Sequence, residues 1–473
     1  MRRRRRFTPA LLGAAVAGLS VLAGLGPASA AKSEADRLWL VGSGALEDGL
    51  YDTAYRELGR FIQTAPRDPR RGDAALLRGR AAFSMERYAE ALAEFDAAET
   101  FPLTVAPSGE PIFWQAESLF RLRRAEEARD RYARFLALKP TSPYVPEALY
   151  ARGLAELETG NADAGADTLR EFLRDYPNHA RAPSAAYSAA RELIRAKRWE
   201  DALNVLIPYA RNYPGSPYLT ETRYLLGVAQ IEAGRPEGAR TIEQFITQAA
   251  PGNELVPGAR VLAAEAHIKA NRLRDALEHY QALVRTTPTH PMVPQALSRI
   301  GELALKLGRP AEAEAAWTTL RRDFPQDERA SPAGLAVADL HARRKQWDRA
   351  LEVAQAVASR NGSERSDALL IVGQSSLQLR KNAEAAQAYH AVLAESPQAS
   401  KRYFEGLAGL AAALEAATDR DGARRAYREI IETSQDPELT NWAQRRLGAL
   451  EAPPPRETPP PREAPRSKAK AKP

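Results

Sequence analysis

The 473-residue sequence contains no cysteine and only three methionines. The absence of cysteine excludes disulfides, thiolate zinc sites, iron–sulfur clusters, a cysteine nucleophile and a lipid anchor on cysteine. The sequence also lacks a P-loop, a glycine-rich dinucleotide motif after a strand, a G-x-S-x-G motif and an HExxH motif. These absences predict a protein that is not an enzyme and that holds no cofactor.

Histidine is scarce as well, and no two histidines lie three or four residues apart, the spacing that would place two metal ligands on one helix face. The six histidines are His179, His267, His279, His290, His341 and His390. Because they are scattered along the chain, no metal site is expected.

Positive charge is concentrated at the two ends of the chain. The formal net charge is +7, which would suggest an anionic partner. However, residues 1–30 carry five arginines and no acid, and residues 452–473 carry six basic and two acidic residues. The rest of the chain holds 56 basic and 58 acidic residues. A nearly neutral body argues against nucleic acid as a partner.

The N-terminus has the three parts of a secretory signal peptide. Five arginines at 2–6 precede an apolar, glycine-rich stretch at 10–26, and Ala28 and Ala30 provide a small-x-small cleavage site. The apolar stretch is about 17 residues long, short for a membrane span. We therefore predict cleavage after about Ala30 and a periplasmic mature chain without a lipid anchor. A retained anchor is the alternative, and residues 4–7 also fit the core of a twin-arginine signal.

The C-terminal segment, residues 452–473, is rich in proline and then in lysine. Such a composition cannot bury a core and predicts an extended, disordered basic tail. The tail is either a solubilising segment or a basic arm for peripheral contact with a membrane or with peptidoglycan.

A repeat of 37 residues runs through the body of the chain. Small residues recur in one register at Ala54, Ala91, Ala128, Gly165, Ala202, Ala239, Ala276, Ala313 and Ala350, and the series continues at Ala385 and Ala423. Twelve residues before each of these lies a second small residue, and a proline usually follows about twelve residues after. The apolar residues between these positions recur at intervals of three and four, which predicts two amphipathic helices per repeat.

The repeat columns have physical reasons. Small residues let the two helices of a pair approach closely, because a large side chain would push them apart. The closing proline ends a helix since it has no N–H and clashes with the preceding turn. One helix pair cannot bury its apolar face alone, so neighbouring pairs stack into a solenoid.

The columns resemble the tetratricopeptide repeat (TPR), with small residues at its positions 8 and 20, an aromatic at 24 and a proline at 32. Units such as residues 144–153, closing with residues 172–177, look like the repeats of bacterial periplasmic TPR proteins of the BamD and CpoB kind. The resemblance covers residues 34–436 and implies an all-α, right-handed α-solenoid of about eleven helix pairs. The domain expected from the sequence spans residues 31–451, and residues 437–450 are predicted to form a C-terminal capping helix.

In such a solenoid the first helices line a concave groove, which is the expected binding surface. Large or aromatic residues recur three positions before the first small residue of a pair, and arginines lie nearby. The partner-binding residues predicted on this basis are Trp39, Phe83, Phe113, Phe120, Tyr150, Tyr187, Arg191, Arg195 and Tyr224. Rigid rings and forked arginine donors suit an extended peptide. The alternative is that the aromatics only fill the space between helices.

These observations predict an exported scaffold or adaptor that organises proteins in a bacterial cell-envelope complex, for outer-membrane assembly, envelope integrity or surface machinery such as motility. Association with the outer membrane fits this prediction. The alternative is a peptidoglycan-binding protein related to lytic transglycosylases, which use a Glu-Ser pair. Glu117 and Ser118 form such a pair, but they follow the small residue Ala116 inside a repeat, and no lysozyme-like segment follows them.

Overall fold

The computed structural model describes residues 33–107, 109–138, 141–398 and 400–451. The predicted signal peptide and basic tail lie outside the described residues. The described chain is helical and contains no strand. None of its helices combines the length and the apolar character that crossing a membrane requires.

Helices follow one another along the described chain with short links between them. They are α1 (Glu34–Glu47), α2 (Tyr51–Thr64), α3 (Arg71–Ser84), α4 (Tyr88–Glu99), α5 (Glu110–Arg121), α6 (Ala125–Ala137), α7 (Val145–Glu158), α8 (Ala162–Asp175), α9 (Ala182–Arg195), α10 (Trp199–Leu206), α11 (Tyr209–Asn212), α12 (Leu219–Glu232), α13 (Gly238–Gln248), α14 (Val256–Lys269), α15 (Leu273–Thr286), α16 (Val293–Lys306), α17 (Pro310–Asp323), α18 (Ala330–Arg343), α19 (Trp347–Ala358), α20 (Arg365–Gln378), α21 (Asn382–Glu395), α22 (Lys401–Ala416), α23 (Arg420–Thr433) and α24 (Pro437–Glu451).

The helices form eleven pairs, each with a first and a second helix, and α24 follows the last pair. In the fifth pair the second helix is divided into α10 and α11. Pro208 lies between them and has no N–H to donate to the preceding turn. The observed pairs confirm the predicted all-α repeat fold.

The chain forms two compact units, one up to Ala189 and one from Ala190, with the boundary inside α9. In each unit the helices pack mainly on those just before and after them in sequence, as expected for a repeat protein. We call them the N-terminal unit and the C-terminal unit.

The predicted small residues are buried where the two helices of a pair meet. A Cβ atom on Gly79 would lie 2.5 Å from the ring of Phe95, and one on Gly153 would lie 2.8 Å from Leu169. In each case the glycine is on the first helix and its neighbour is 16 residues later on the second. The structure thus confirms that the small residues set the close helix approach.

Repeat six departs from the predicted register by one residue. Gly238, not Ala239, takes the small position of the second helix, because a Cβ on Gly238 would meet Ile231 just as one on Gly165 would meet Leu157. The N–H of Gly238 bonds to the carbonyl of Arg235, three residues back, so the entry to α13 is a tight turn. At the equivalent position of repeat four, the N–H of Gly165 bonds to the carbonyl of Asn161, four residues back. The i→i−3 bond of repeat six is typical of a tighter 3₁₀ turn and places the small residue one position earlier.

The turn between the two helices of each pair contains one residue with positive φ. These residues are Gly49, Glu86, Arg123, Gly160, Lys197, Gly234, Asn271, Gly308, Lys345, Arg380 and Thr418. Each lies seven residues after the small residue of the first helix. Seven of them are not glycine, so the repeat geometry imposes a left-handed conformation on residues that rarely adopt it.

The ends of the repeats also match the prediction. Pro66, Pro177 and Pro325 each follow two residues after the end of a second helix. At the C-terminal end, α24 packs on α23, where the rings of Tyr427 and Trp442 lie 5.4 Å apart, edge to face. The capping helix therefore covers the last repeat, as predicted.

Candidate functional site

The predicted partner-binding residues differ in burial. Phe113 and Tyr150 are only 3% and 8% exposed, so these two rings pack in the interior as the alternative proposed. The other seven keep part of their surface: Trp39, Phe83, Phe120, Tyr187 and Tyr224 are half-buried, and Arg191 and Arg195 are exposed. Partner binding by these seven residues stays a prediction.

Six rings from helices α3, α4 and α5 and from the residue just before α7 form an aromatic cluster: Phe83, Tyr88, Phe95, Phe113, Trp114 and Tyr144. The ring centroid of Trp114 lies 5.3 Å from Phe83, 5.3 Å from Phe113 and 5.5 Å from Tyr144, each near edge-to-face. The ring quadrupoles favour this arrangement. Trp114 thus joins the second repeat to the third and the fourth.

Two arginine side chains lie beside rings of the aromatic cluster. The guanidinium carbon of Arg121 lies 5.6 Å from the ring of Phe83 and 5.9 Å from that of Tyr88. Arg80 lies 5.7 Å from the ring of Trp114. Because Arg121 is exposed and both of its rings are half-buried, this patch offers an accessible cation beside apolar surface. A cation beside apolar surface is chemically suited to an acidic or aromatic side chain.

A buried carboxylate holds the link beside the aromatic cluster. Asp73 on α3 is 2% exposed and accepts hydrogen bonds from the backbone N–H of Thr104, Val105 and Ala106, at 2.8 to 3.2 Å. The hydroxyl of Thr104 donates to it as well. The carboxylate thereby fixes the link between α4 and α5.

The Glu117–Ser118 pair is part of the repeat packing. Ser118 is fully buried, and the buried Tyr132 donates a hydrogen bond of 2.6 Å to the Glu117 carboxylate. Burial raises the pKa of Glu117, while the bond from Tyr132 opposes the shift. Tyr280 donates to Glu265 at equivalent positions of repeat seven, also at 2.6 Å. Since the same tyrosine–glutamate bond occurs in repeats three and seven, the Glu117–Ser118 pair does not by itself indicate a glycan-cleaving site.

Three metal-ligand side chains meet in the C-terminal unit, contrary to the expectation that the histidines are scattered. Glu243, His267 and His279 place one ligand atom each within 4.8 Å of the others. A search for histidines three or four residues apart cannot find this cluster, because its members lie on three helices. The signal in the sequence is that His267 and His279 each follow a small repeat residue by three positions.

Family models match most of the repeat region. The outer membrane lipoprotein family (YfiO) matches residues 142–325, and the tetratricopeptide repeat family (TPR_16) matches 42–103 and 335–400. The chain is a tetratricopeptide repeat protein. This TPR protein resembles the BamD-type proteins through its central match, and the two family matches support a protein-interaction scaffold.

Solved structures similar to the TPR protein have low sequence identity. A tetratricopeptide repeat protein from Parabacteroides merdae is 14% identical and covers 56% of this chain and 98% of its own, with a TM-score of 0.34. The Naa15/Naa10 complex bound to HypK-THB is 14% identical over 87% of this chain and 65% of its own, with a TM-score of 0.41. MamA is 16% identical and covers 36% of this chain and 91% of its own, with a TM-score of 0.31. No curated protein matches the chain.

Proposed function

We propose that this TPR protein is exported to the periplasm and acts there as a non-catalytic scaffold for proteins of a cell-envelope complex. The match of residues 142–325 to an outer membrane lipoprotein family carries the proposal. The arginines, apolar stretch and small-x-small site of residues 1–30 support export.

In the proposed mechanism a segment of the partner lies along the first helices. Half-buried rings such as Tyr187 and Phe83 offer rigid apolar contact area with little conformational entropy to lose. Exposed arginines such as Arg121 and Arg195 add forked donors for acidic or carbonyl groups. These two kinds of residue commonly dominate the energy of protein interfaces.

Export is tested by expressing the full chain in a Gram-negative bacterium and measuring the intact mass of the product released by osmotic shock. We expect a chain beginning at Ala31, in the periplasmic fraction. A product that retains Met1 and stays in the cytoplasm would refute export. A variant with Ala28 and Ala30 changed to Arg is the control, and it should not be cleaved.

Partner binding is tested by reversing charge on the accessible patch. Arg121→Glu should reduce recovery of co-purifying envelope proteins at least tenfold, because it replaces the cation with an anion. Arg174→Glu is the matched control, since Arg174 is an exposed arginine on the second helix α8 of the same unit. Equal recovery with both variants would show that the patch does not bind the partner.

A further inference from the structure

The cluster formed by Glu243, His267 and His279 joins repeat six to repeat seven. Glu243 is on α13, the second helix of repeat six, and the histidines are on α14 and α15, the two helices of repeat seven. We call it the histidine cluster.

The shifted register of repeat six explains why Glu243 faces the next repeat. Counted from Gly238, Glu243 is five residues further on, the position that Gln281 and Gln355 occupy in repeats seven and nine. Both glutamines donate hydrogen bonds to a glutamate of the following repeat. A side chain at this position therefore contacts the next repeat, and in repeat six this side chain is a carboxylate.

The geometry brings three ligand atoms within 4.8 Å of one another. Nε2 of His267 lies 2.7 Å from Oε1 of Glu243, and Nε2 of His279 lies 3.5 Å from the same oxygen. The two imidazole rings are nearly parallel, with centroids 5.4 Å apart and 14° between their planes. The His267 side chain is 3% exposed, whereas that of Glu243 is 39% exposed. The cluster is thus anchored in the interior and open to solvent on one side.

One polar atom of the cluster is not satisfied. Nδ1 of His267 is buried without a hydrogen-bond partner, and Oδ2 of Asp275 lies 3.8 Å away from it. If a neutral His267 donates from Nε2 to Glu243, its Nδ1 carries a lone pair that faces a second carboxylate. Leaving a buried acceptor without a donor is unfavourable.

We propose that Glu243, His267 and His279 form a binding site for a Zn²⁺ ion. Two imidazole nitrogens and one carboxylate oxygen are a common set of protein ligands for zinc, with water in the fourth position. Zinc on Nε2 of His267 moves the proton of that ring to Nδ1, where it points to Asp275. This carboxylate then supports the ligand histidine, as is usual around bound zinc.

The distances allow an ion with a small adjustment. Zinc ligands at about 2.0–2.2 Å in tetrahedral geometry lie roughly 3.3 Å apart. The separation of 3.5 Å between His279 and Glu243 already fits, and the hydrogen-bonded pair of His267 and Glu243 has to open from 2.7 Å. Because Glu243 is partly exposed, its side chain can make this movement. The bound ion would fasten repeat six to repeat seven.

The test is zinc binding to the purified full chain without a histidine tag, measured by calorimetry and by metal analysis after dialysis. We expect one saturable Zn²⁺ per chain. Glu243→Gln and His279→Ala should each weaken the affinity at least tenfold, and His390→Ala should not change it. His390 is the matched control because it is exposed on α21. Circular dichroism verifies that each variant is folded.

Co²⁺ provides a second measurement, because tetrahedral coordination gives it intense visible absorption. We expect this absorption with the wild-type chain and with His390→Ala, and its loss with Glu243→Gln. This variant keeps the shape of the side chain and stays informative even if His279→Ala fails to fold. No saturable zinc binding by the wild-type chain, or equal affinity in Glu243→Gln and the wild type, would overturn the proposal.

Discussion

The aromatic cluster of the N-terminal unit and the histidine cluster of the C-terminal unit both link a second helix to the next repeat, by different chemistry. In the first, Phe95 on α4 packs on Trp114 of α5, and the surrounding rings and arginines complete the contacts. In the second, Glu243 on α13 meets His267 on α14, and a buried nitrogen stays unsatisfied. The buried rings Phe95 and Phe113 of the aromatic cluster maintain the fold, whereas the proposed role of the histidine cluster is to hold an ion.

The largest expected loss of stability comes from a substitution in the aromatic cluster. Phe95→Ala should lower the free energy of unfolding of the N-terminal unit by about 3–5 kcal/mol, because Phe95 is fully buried and its removal leaves a cavity. Hydrogen exchange of the α3–α5 amides measures the loss. Phe95→Leu, which keeps more of the volume, should cost less. A loss under about 1 kcal/mol for Phe95→Ala would contradict a structural role of the cluster.

The next effect concerns the link beside the aromatic cluster. Asp73→Ala should cost about 2 kcal/mol, since it removes the acceptor for three backbone N–H groups. Amides of residues 104–106 should exchange faster with solvent. Asp130→Ala is the control, because Asp130 is exposed on α6 and should change stability little. Unchanged exchange in the Asp73 variant would show that the link holds without the carboxylate.

Adding a methyl group where the two helices of a pair meet should lower stability in both units. Gly79→Ala in one unit and Gly301→Ala in the other should each cost about 1–2 kcal/mol, because the new methyl group meets the ring of Phe95 or Trp317. Gly44→Ala and Gly258→Ala, where a Cβ meets nothing within 4 Å, should instead stabilise by up to about 1 kcal/mol. Thermal unfolding compares the four variants. A stability change of the same sign in both pairs would show that the small residues do not set the close helix approach.

The smallest effect is expected in the histidine cluster. Without zinc, His267→Leu should change the free energy of unfolding by less than about 1 kcal/mol, because it removes an unsatisfied buried nitrogen and leaves Glu243 partly solvated. The variant should lose zinc binding. Denaturation in the presence of a chelator gives the stability difference. A loss comparable to that of Phe95→Ala would show that the histidine cluster is structural after all.

The sequence predicted the helix pairs because the small residues and prolines act locally, and the same steric reasons apply in every repeat. It misplaced the small residue of repeat six at Ala239, because the tight turn before Gly238 is set by backbone hydrogen bonds that leave no clear signal in composition. The left-handed residues, such as Arg123 and Thr418, were not predicted, since glycine fills that column only in some repeats.

The candidate sites were harder to predict because they depend on contacts between repeats. The aromatic column could be read as packing or as binding, and the structure places Phe113 and Tyr150 in the interior but leaves Tyr187 half-buried. The spacing of the histidines does not predict the histidine cluster, because its three members lie on three helices. Only the packing of α13, α14 and α15 brings them together.

The measurement that tests the scaffold function most directly is photo-crosslinking in cells, with a photoreactive amino acid in place of Tyr187 on the first helix α9 and, as a control, in place of the exposed Glu171 on the second helix α8. If a partner lies along the first helices, position 187 should give a discrete crosslinked product with an envelope protein, and position 171 should give none. Absence of a product at 187, or the same products from both positions, would contradict partner binding along the first helices.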